Sequence, residues 1–408
     1  MGVMQGSGMG PGTLMLAMAF TILLPCAAMG APRVGPTGLV RILYMGDGWG
    51  PSPVAEFNIL PGFRTVSVPA SEAHVGHGVQ AISRDEMLKF VRIYMPRTYP
   101  DLIGSYDYLV LSDANRAFFG RELLWMRKGV EEEGLGIIMV GGYESFGGVN
   151  QPSWANTEVA EILPVTMDLP VEYGYTYKVK PAIDHPFTRS LPWETIPMFL
   201  DINHVVLKFG ATLLLDTVRH PYPHLSYWEV GEGAALAHGT DWTPGGGTFV
   251  MRWKYFPDYV ANIAFLAVGH DIPQNPQLIH HLRSRFFDLT KSLDVAIAIV
   301  DFAERFGAST VSLFEEIAGI QVLGREAERL FVEHDYEGTE AVLDRIDESL
   351  IKARNAAMRL KDQALLWVYV IEWLSVTAVI MTSVFALWSL MVRRKLYRDV
   401  EVTRTGAR

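Results

Sequence analysis

Residues 135–140 read Leu-Gly-Ile-Ile-Met-Val and lie between Gly134 and the pair Gly141-Gly142. The run is too short for a free-standing helix and lacks the alternation of a half-exposed strand. It therefore reads as a strand buried on both faces of a sheet. Strands of that kind belong to parallel sheets covered by helices, and the paired glycines then turn the chain sharply. In an open α/β sheet, a turn at the carboxyl end of a central strand opens into the crevice where ligands bind. Here the turn runs Gly141-Gly142-Tyr143-Glu144-Ser145-Phe146-Gly147-Gly148.

The chain before and after this strand repeats the pattern. Residues 39–45 and 64–69 read as strands, 84–91 as a short helix, 106–111 as a third strand and 121–133 as a helix leading into the central strand. Turns of Gly, Asp and Asn close each strand, as at Gly46-Asp47-Gly48-Trp49-Gly50 and Ser112-Asp113-Ala114-Asn115. Residues 157–162 start a helix closed by Pro164. Between 170 and 240 the β signals multiply, which predicts an antiparallel extension or a β-rich insertion, and Thr240-Asp241-Trp242 forms another strand-end loop. A helix over 255–268 closes this α/β domain, and the two prolines in 271–276 mark its boundary.

From Gln277 onward the signal is helical. Leu293, Ile297 and Val300 keep one face, and Val342, Ile346, Leu350, Ala353, Ala357, Leu360 and Ala364 form a second apolar stripe. That stripe predicts packing against the first face or against another copy of the chain. Residues 374–392 then carry no charge over 19 positions, close to the ~20 needed to cross a bilayer. Trp367, Tyr369, Trp373 and Trp388 flank the run as interfacial aromatics, and Arg393-Arg394-Lys395 follow it. Positive residues stay cytoplasmic, which places the tail inside and everything before the span outside. At the other end, the uncharged residues 13–29 followed by a small-x-small pattern read as a secretory signal peptide. The expected organisation is a signal peptide over 1–30, an α/β domain over 31–272 and a helical stalk over 273–364. A membrane helix with its flank over 365–392 and a basic cytoplasmic tail over 393–408 complete it.

Charge and cysteine content narrow the function. The net charge is −10, and with +4 on residues 393–408 the remainder carries −14, so no nucleic-acid partner is expected. Cys26 is the single cysteine, which excludes an intrachain disulfide and a thiolate metal cage. Histidine pairs occur at His74/His77, His220/His224 and His280/His281 without a third ligand at metal spacing, so neither metal nor cofactor is expected.

Four stretches carry a family resemblance: residues 108–113, 136–148, 160–165 and 240–244. Over roughly residues 39–270 the sequence resembles the class I glutamine amidotransferase-like superfamily, in its "putative glutamine amidotransferase" branch. The resemblance implies a flavodoxin-like sheet. It also implies a cysteine nucleophile on the turn after the central strand, assisted by histidine and glutamate. This chain departs from that pattern, because Gly141-Gly142-Tyr143 occupies the turn and Gly245 stands where a histidine would serve. Glutamine hydrolysis by that route requires an activated thiolate. The resemblance therefore carries the fold and not the activity, and leaves two glycine N–H groups as potential oxyanion donors.

What remains at the strand ends is acidic. Asp47, Asp113, Glu144 and Asp241 would converge on one crevice, lined by Trp49, Tyr143 and Trp242 beside Gly141 and Gly142. Such a site suits a sugar, a polyol or a cation. The alternative is that the acids cap the helices that follow their strands. Two functions follow: a non-catalytic ligand-binding or assembly module at the cell surface, or a hydrolase or carbohydrate-acting enzyme using the acids or Ser145. Partners would be the membrane and, through the stalk, a second copy or another membrane protein.

Overall fold

The computed structural model describes residues 32–48, 52–72, 83–149, 153–167, 171–305 and 310–405. The expected signal peptide, Cys26, Trp49, His74 and His77 lie outside these residues.

Five strands form the parallel half of one sheet: β1 (Val40–Gly46), β2 (Phe63–Pro69), β3 (Tyr108–Ser112), β4 (Gly136–Val140) and β12 (Gly233–His238). Their order is β2-β1-β3-β4-β12, the 2-1-3-4-5 order of doubly wound sheets. Alternation along each strand feeds two cores. Ile42 and Tyr44 join the core on one face with helix α7 (Phe256–Ala267). Leu43 and Met45 join the other, with α2 (Arg84–Tyr94), α4 (Glu122–Glu133) and α5 (Glu158–Ile162). β4 is buried along its whole length, as its composition requires. Two short helices, α1 (Pro53–Ile59) and α3 (Tyr99–Ser105), were not foreseen; each opens with proline in its first turn, where the missing N–H costs nothing.

The sheet is mixed and not purely parallel. Beyond β12 it continues through β11 (Pro223–Val230), β10 (Thr212–Thr217) and β7 (Val179–Pro181), each antiparallel to its neighbour. The cause is the connection: only Gly231 and Glu232 separate β11 from β12, which permits a hairpin but not the long crossover a parallel pair needs. Gly231 takes φ of 59° at that turn, and a side chain there would overlap the Glu131 carbonyl. A short helix, α6 (Pro186–Arg189), and two small ladders complete this region. β5 (Val165–Thr166) pairs with β9 (Val206–Leu207), and β6 (Val171–Tyr177) pairs with β8 (Phe199–Asn203).

Three helices follow: α8 (Pro276–Arg305), α9 (Val311–Val332) and α10 (Tyr336–Thr405). α10 runs unbroken for 70 residues, because no proline interrupts it and Asp335 accepts the Gly338 N–H at its start. At 1.5 Å per residue it is roughly 105 Å long. Val342, Ile346, Ala353 and Ala357 pack against Leu289 and Val300 of α8 and Leu313 and Ile317 of α9, so the stripe finds partners within one chain. Leu293 packs partly against this core, whereas Ile297 turns outward. Within α10 lies one stretch that is long and apolar enough to cross a membrane by length and composition, and it is almost wholly exposed.

The α/β layer meets the helices through buried polar groups. Arg283 of α8 donates to Asp258 of α7 at 2.9 Å, with both side chains buried, and His280 Nδ1 lies 2.8 Å from the other Asp258 oxygen. Phe265 and Phe331 flank the guanidinium. Glu328 of α9 forms a second tie, pairing with Arg64 at 3.0 Å and accepting the Gly62 N–H.

Candidate functional site

The turns after β1, β3, β4 and β12 meet at one edge of the sheet, because parallel strands end on the same side. Asp47 follows β1, Asp113 follows β3 and Asp241 follows β12, all buried. Asp113 holds a left-handed backbone with φ of 46°, uncommon for a residue with a side chain, and its Oδ1 accepts the Glu144 N–H at 2.7 Å. That approach requires glycine at 142, where a Cβ would overlap Asp113 Oδ1. Asp113 Oδ2 has no hydrogen-bond partner among the described residues. Burial pushes the Asp113 carboxyl well above the usual carboxylate range, and the charges of Asp241, Glu144 and Asp47 push the same way against the Glu144 N–H bond.

Thr243 joins the other two acids. Its hydroxyl lies 2.6 Å from Asp241 Oδ2 and 3.3 Å from Asp47 Oδ2, while its N–H donates to Asp241 Oδ1 at 2.8 Å. Asp241 thus closes its own turn and caps no α-helix. Ser52 stands at the start of α1, and Asn115 caps the single turn after β3. Tyr143, beside these acids, is 42% exposed. Its hydroxyl is raised above the ordinary tyrosine value by burial and by the charges of Asp201, Asp113 and Asp241.

Two of the expected crevice residues turn elsewhere. Glu144 points to the loop after β2: its carboxylate accepts the Glu72 N–H at 2.6 Å and the Asn115 amide at 2.8 Å. Burial raises its pKa, and those hydrogen bonds, with one from Ser71, oppose the rise. Glu72 in turn pairs with Arg84 at 3.0 Å, so this acid ties three loops together. Trp242 lies fully buried in the core beneath the turns, its Nε1–H directed at Tyr44 Oη at 2.9 Å and Ser112 Oγ at 3.1 Å. The apolar environment under the sheet outweighs its strand-end position.

The glycine turn is closed on itself. The Gly141 N–H donates to the His238 carbonyl at 2.9 Å. The Gly142 N–H donates to Asn203 Oδ1 at 2.9 Å, and the Gly142 carbonyl accepts from Asn203 Nδ2 at 3.1 Å. The expectation that these two N–H groups stand ready as oxyanion donors is therefore corrected. Ser145 is buried, and its hydroxyl donates to the Val140 carbonyl at 2.5 Å, which secures the turn. His238 is buried behind it, with Nδ1 2.6 Å from the Thr240 carbonyl and a pKa lowered to about 4 by burial. Asn203 and Trp154 were not singled out from the sequence. The Trp154 Nε1–H bridges the carbonyls of Ala114 and Glu144 at 3.0 and 3.1 Å and fastens two site loops together.

No curated protein matches the sequence. Among solved structures, the cytoplasmic proteins STM1381 and STM3548 of Salmonella typhimurium match with 20% and 21% identity, each with a TM-score of 0.46. Both matches cover 56% of this chain, and 100% and 99% of those chains. A β-galactosidase from Bacillus circulans sp. alkalophilus matches at 10% identity and a TM-score of 0.32, over 58% of this chain and 32% of its own. Residues 96–267 match the GATase1-like family, described as "Putative glutamine amidotransferase". That segment spans β3, β4, the glycine turn, β12 and α7, and with it the chain carries a glutamine amidotransferase-like domain.

Proposed function

We propose that this domain is a non-hydrolytic binding or assembly module, held outside the cytoplasmic membrane by α10. The carrying observation is the bracket of Asn203 on Gly142, which occupies both polar groups of that peptide. Acyl transfer at such a turn needs a nucleophile, a base and free donors aimed at the developing oxyanion. Tyrosine stands at position 143, the Ser145 hydroxyl donates to the Val140 carbonyl, and His238 is buried with its Nδ1 against the Thr240 carbonyl.

The cluster of Asp47, Asp113 and Asp241, beside the exposed Tyr143, is the place that would meet a ligand. A buried carboxyl with an unused oxygen suits hydroxyl groups of a sugar or polyol, or a cation. A carbohydrate-acting enzyme using the same acids is the second reading, and the raised Asp113 carboxyl favours it to the extent that a neutral acid can donate a proton. The test uses the full-length chain in detergent. Incubation with glutamine should release no ammonia, from the wild type or from Tyr143→Cys. Calcium chloride or glucose should raise the melting temperature, and Asp113→Asn with Asp241→Asn should remove the rise. Ammonia released by the wild type would sink the non-hydrolytic reading, and turnover of a glycoside lost in Asp113→Asn would establish the enzymatic one.

A further inference from the structure

The helical bundle exposes two apolar features on different helices. Between α8 and α10 runs a groove of about 730 Å³, floored by Ala353 and Ala357 and walled by Val295, Ile351 and Met358. Lys291 and Arg354 stand on its rim, and the acid there, Asp347, is already paired with Arg285 at 2.7 Å. On α9, Val311, Phe314, Ala318 and Val322 recur at helical spacing, and all four are exposed. Glu315 and Glu326 follow one edge of that stripe.

Both features stand at the same height. α9 and α10 form a hairpin, with α9 ending at Val332 and α10 starting at Tyr336. At 1.5 Å per residue, Val322 and Val311 stand roughly 15 and 32 Å from that turn, and Asp347 and Met358 roughly 17 and 33 Å. Glu315 and Arg354 fall at roughly 26 and 27 Å.

We propose that the groove between α8 and α10 takes the α9 stripe of a second copy of this chain, with Glu315 of one copy against Arg354 of the next. The alignment rests on the membrane-anchored reading above, since copies that span one bilayer share an orientation and a depth. Groove and stripe are different surfaces, so the contact is heterologous and repeats from copy to copy in a ring or a row. Docking the stripe in the groove removes both apolar faces from water, and the opposite rim charges set the partner and register. The bilayer surface is the competing occupant of the stripe. Glu315 and Glu316 on the same turn oppose an anionic leaflet, whereas they complement a basic rim.

The test uses the full-length chain in membranes, with Cys26→Ser as background and two single-cysteine variants, Phe314→Cys and Ile351→Cys. A short bis-maleimide should cross-link copies when the two variants are mixed, and neither variant alone. Glu315→Arg or Arg354→Glu should each lower the yield at least fivefold, and the two changes together should restore it. Cross-linking of either variant with itself would overturn the heterologous contact, as would a mixed sample that stays monomeric while its circular dichroism is unchanged. Quenching of a bimane attached at Phe314→Cys by spin-labelled lipid would assign the stripe to the bilayer instead. If alkaline carbonate strips the chain from membranes yet the mixed cross-link persists in detergent, the membrane reading fails and the pairing stands. Retention in the membrane without a cross-link sinks the pairing alone.

Discussion

Asn203 holds the peptide of Gly142 from both sides, its Oδ1 accepting the glycine N–H at 2.9 Å and its Nδ2 donating to the glycine carbonyl at 3.1 Å. The two residues are 61 positions apart, and the contact is buried. It joins the small β6/β8 ladder to the central turn, so the turn that would present a nucleophile is held in a closed geometry. Removing the bracket leaves two buried backbone groups unpaired. Asn203→Ala should therefore destabilise the fold by about 1–3 kcal/mol per group left unsatisfied. A denaturant midpoint unchanged from the wild type would show that other groups satisfy Gly142.

The Asp113 carboxyl makes stability depend on pH in a definite direction. Its pKa is raised in the folded chain by burial and by neighbouring acids, so the folded state binds more protons than the unfolded one. Stability from this group is fully present below the ordinary aspartate value of about 4 and is lost as pH climbs toward the raised value. Asp113→Asn keeps an oxygen for the Glu144 N–H and tolerates the left-handed backbone. The variant should melt with the wild type at pH near 4 and above it at pH 7. Parallel pH profiles would place the Asp113 carboxyl in the ordinary range.

At the junction of the two layers, Arg283 and Asp258 are both buried and 2.9 Å apart. Arg283→Met takes the arginine partner from a buried carboxylate that His280 still contacts, and should cost up to about 3–5 kcal/mol. Adding Asp258→Asn should recover part of that loss, because the buried charge is removed. Equal destabilisation by the single and double changes would assign the cost to packing against Phe265 and Phe331.

Anchoring is tested by topology. Protease added to intact, wall-stripped cells should degrade residues 31–364 and spare an epitope placed after Lys395. A chain ended at Ala364 should leave the membrane pellet. A protected N-terminal domain with an accessible C-terminus would reverse the orientation drawn from the basic tail.

The sequence by itself determined the local elements. Strand β4 was legible because a short apolar run between glycines has few other fates. The long α10 was legible because its stripe recurs every three to four residues with no proline to stop it. The convergence of Asp47, Asp113 and Asp241 followed from the common direction of parallel strands. Tertiary structure alone decided the rest. Glu144 was drawn to the Glu72 N–H and the Asn115 amide, 72 and 29 positions away, because a buried carboxylate must find donors wherever the fold supplies them. Trp242 went under the sheet because Tyr44 and Ser112 give its N–H partners within the core. Asn203 closed the glycine turn without any local signal in its own segment. Periodicity and turn chemistry act over a few residues and can be read along the chain; pairing of buried polar groups is settled only when distant strands bring one partner within reach of the other.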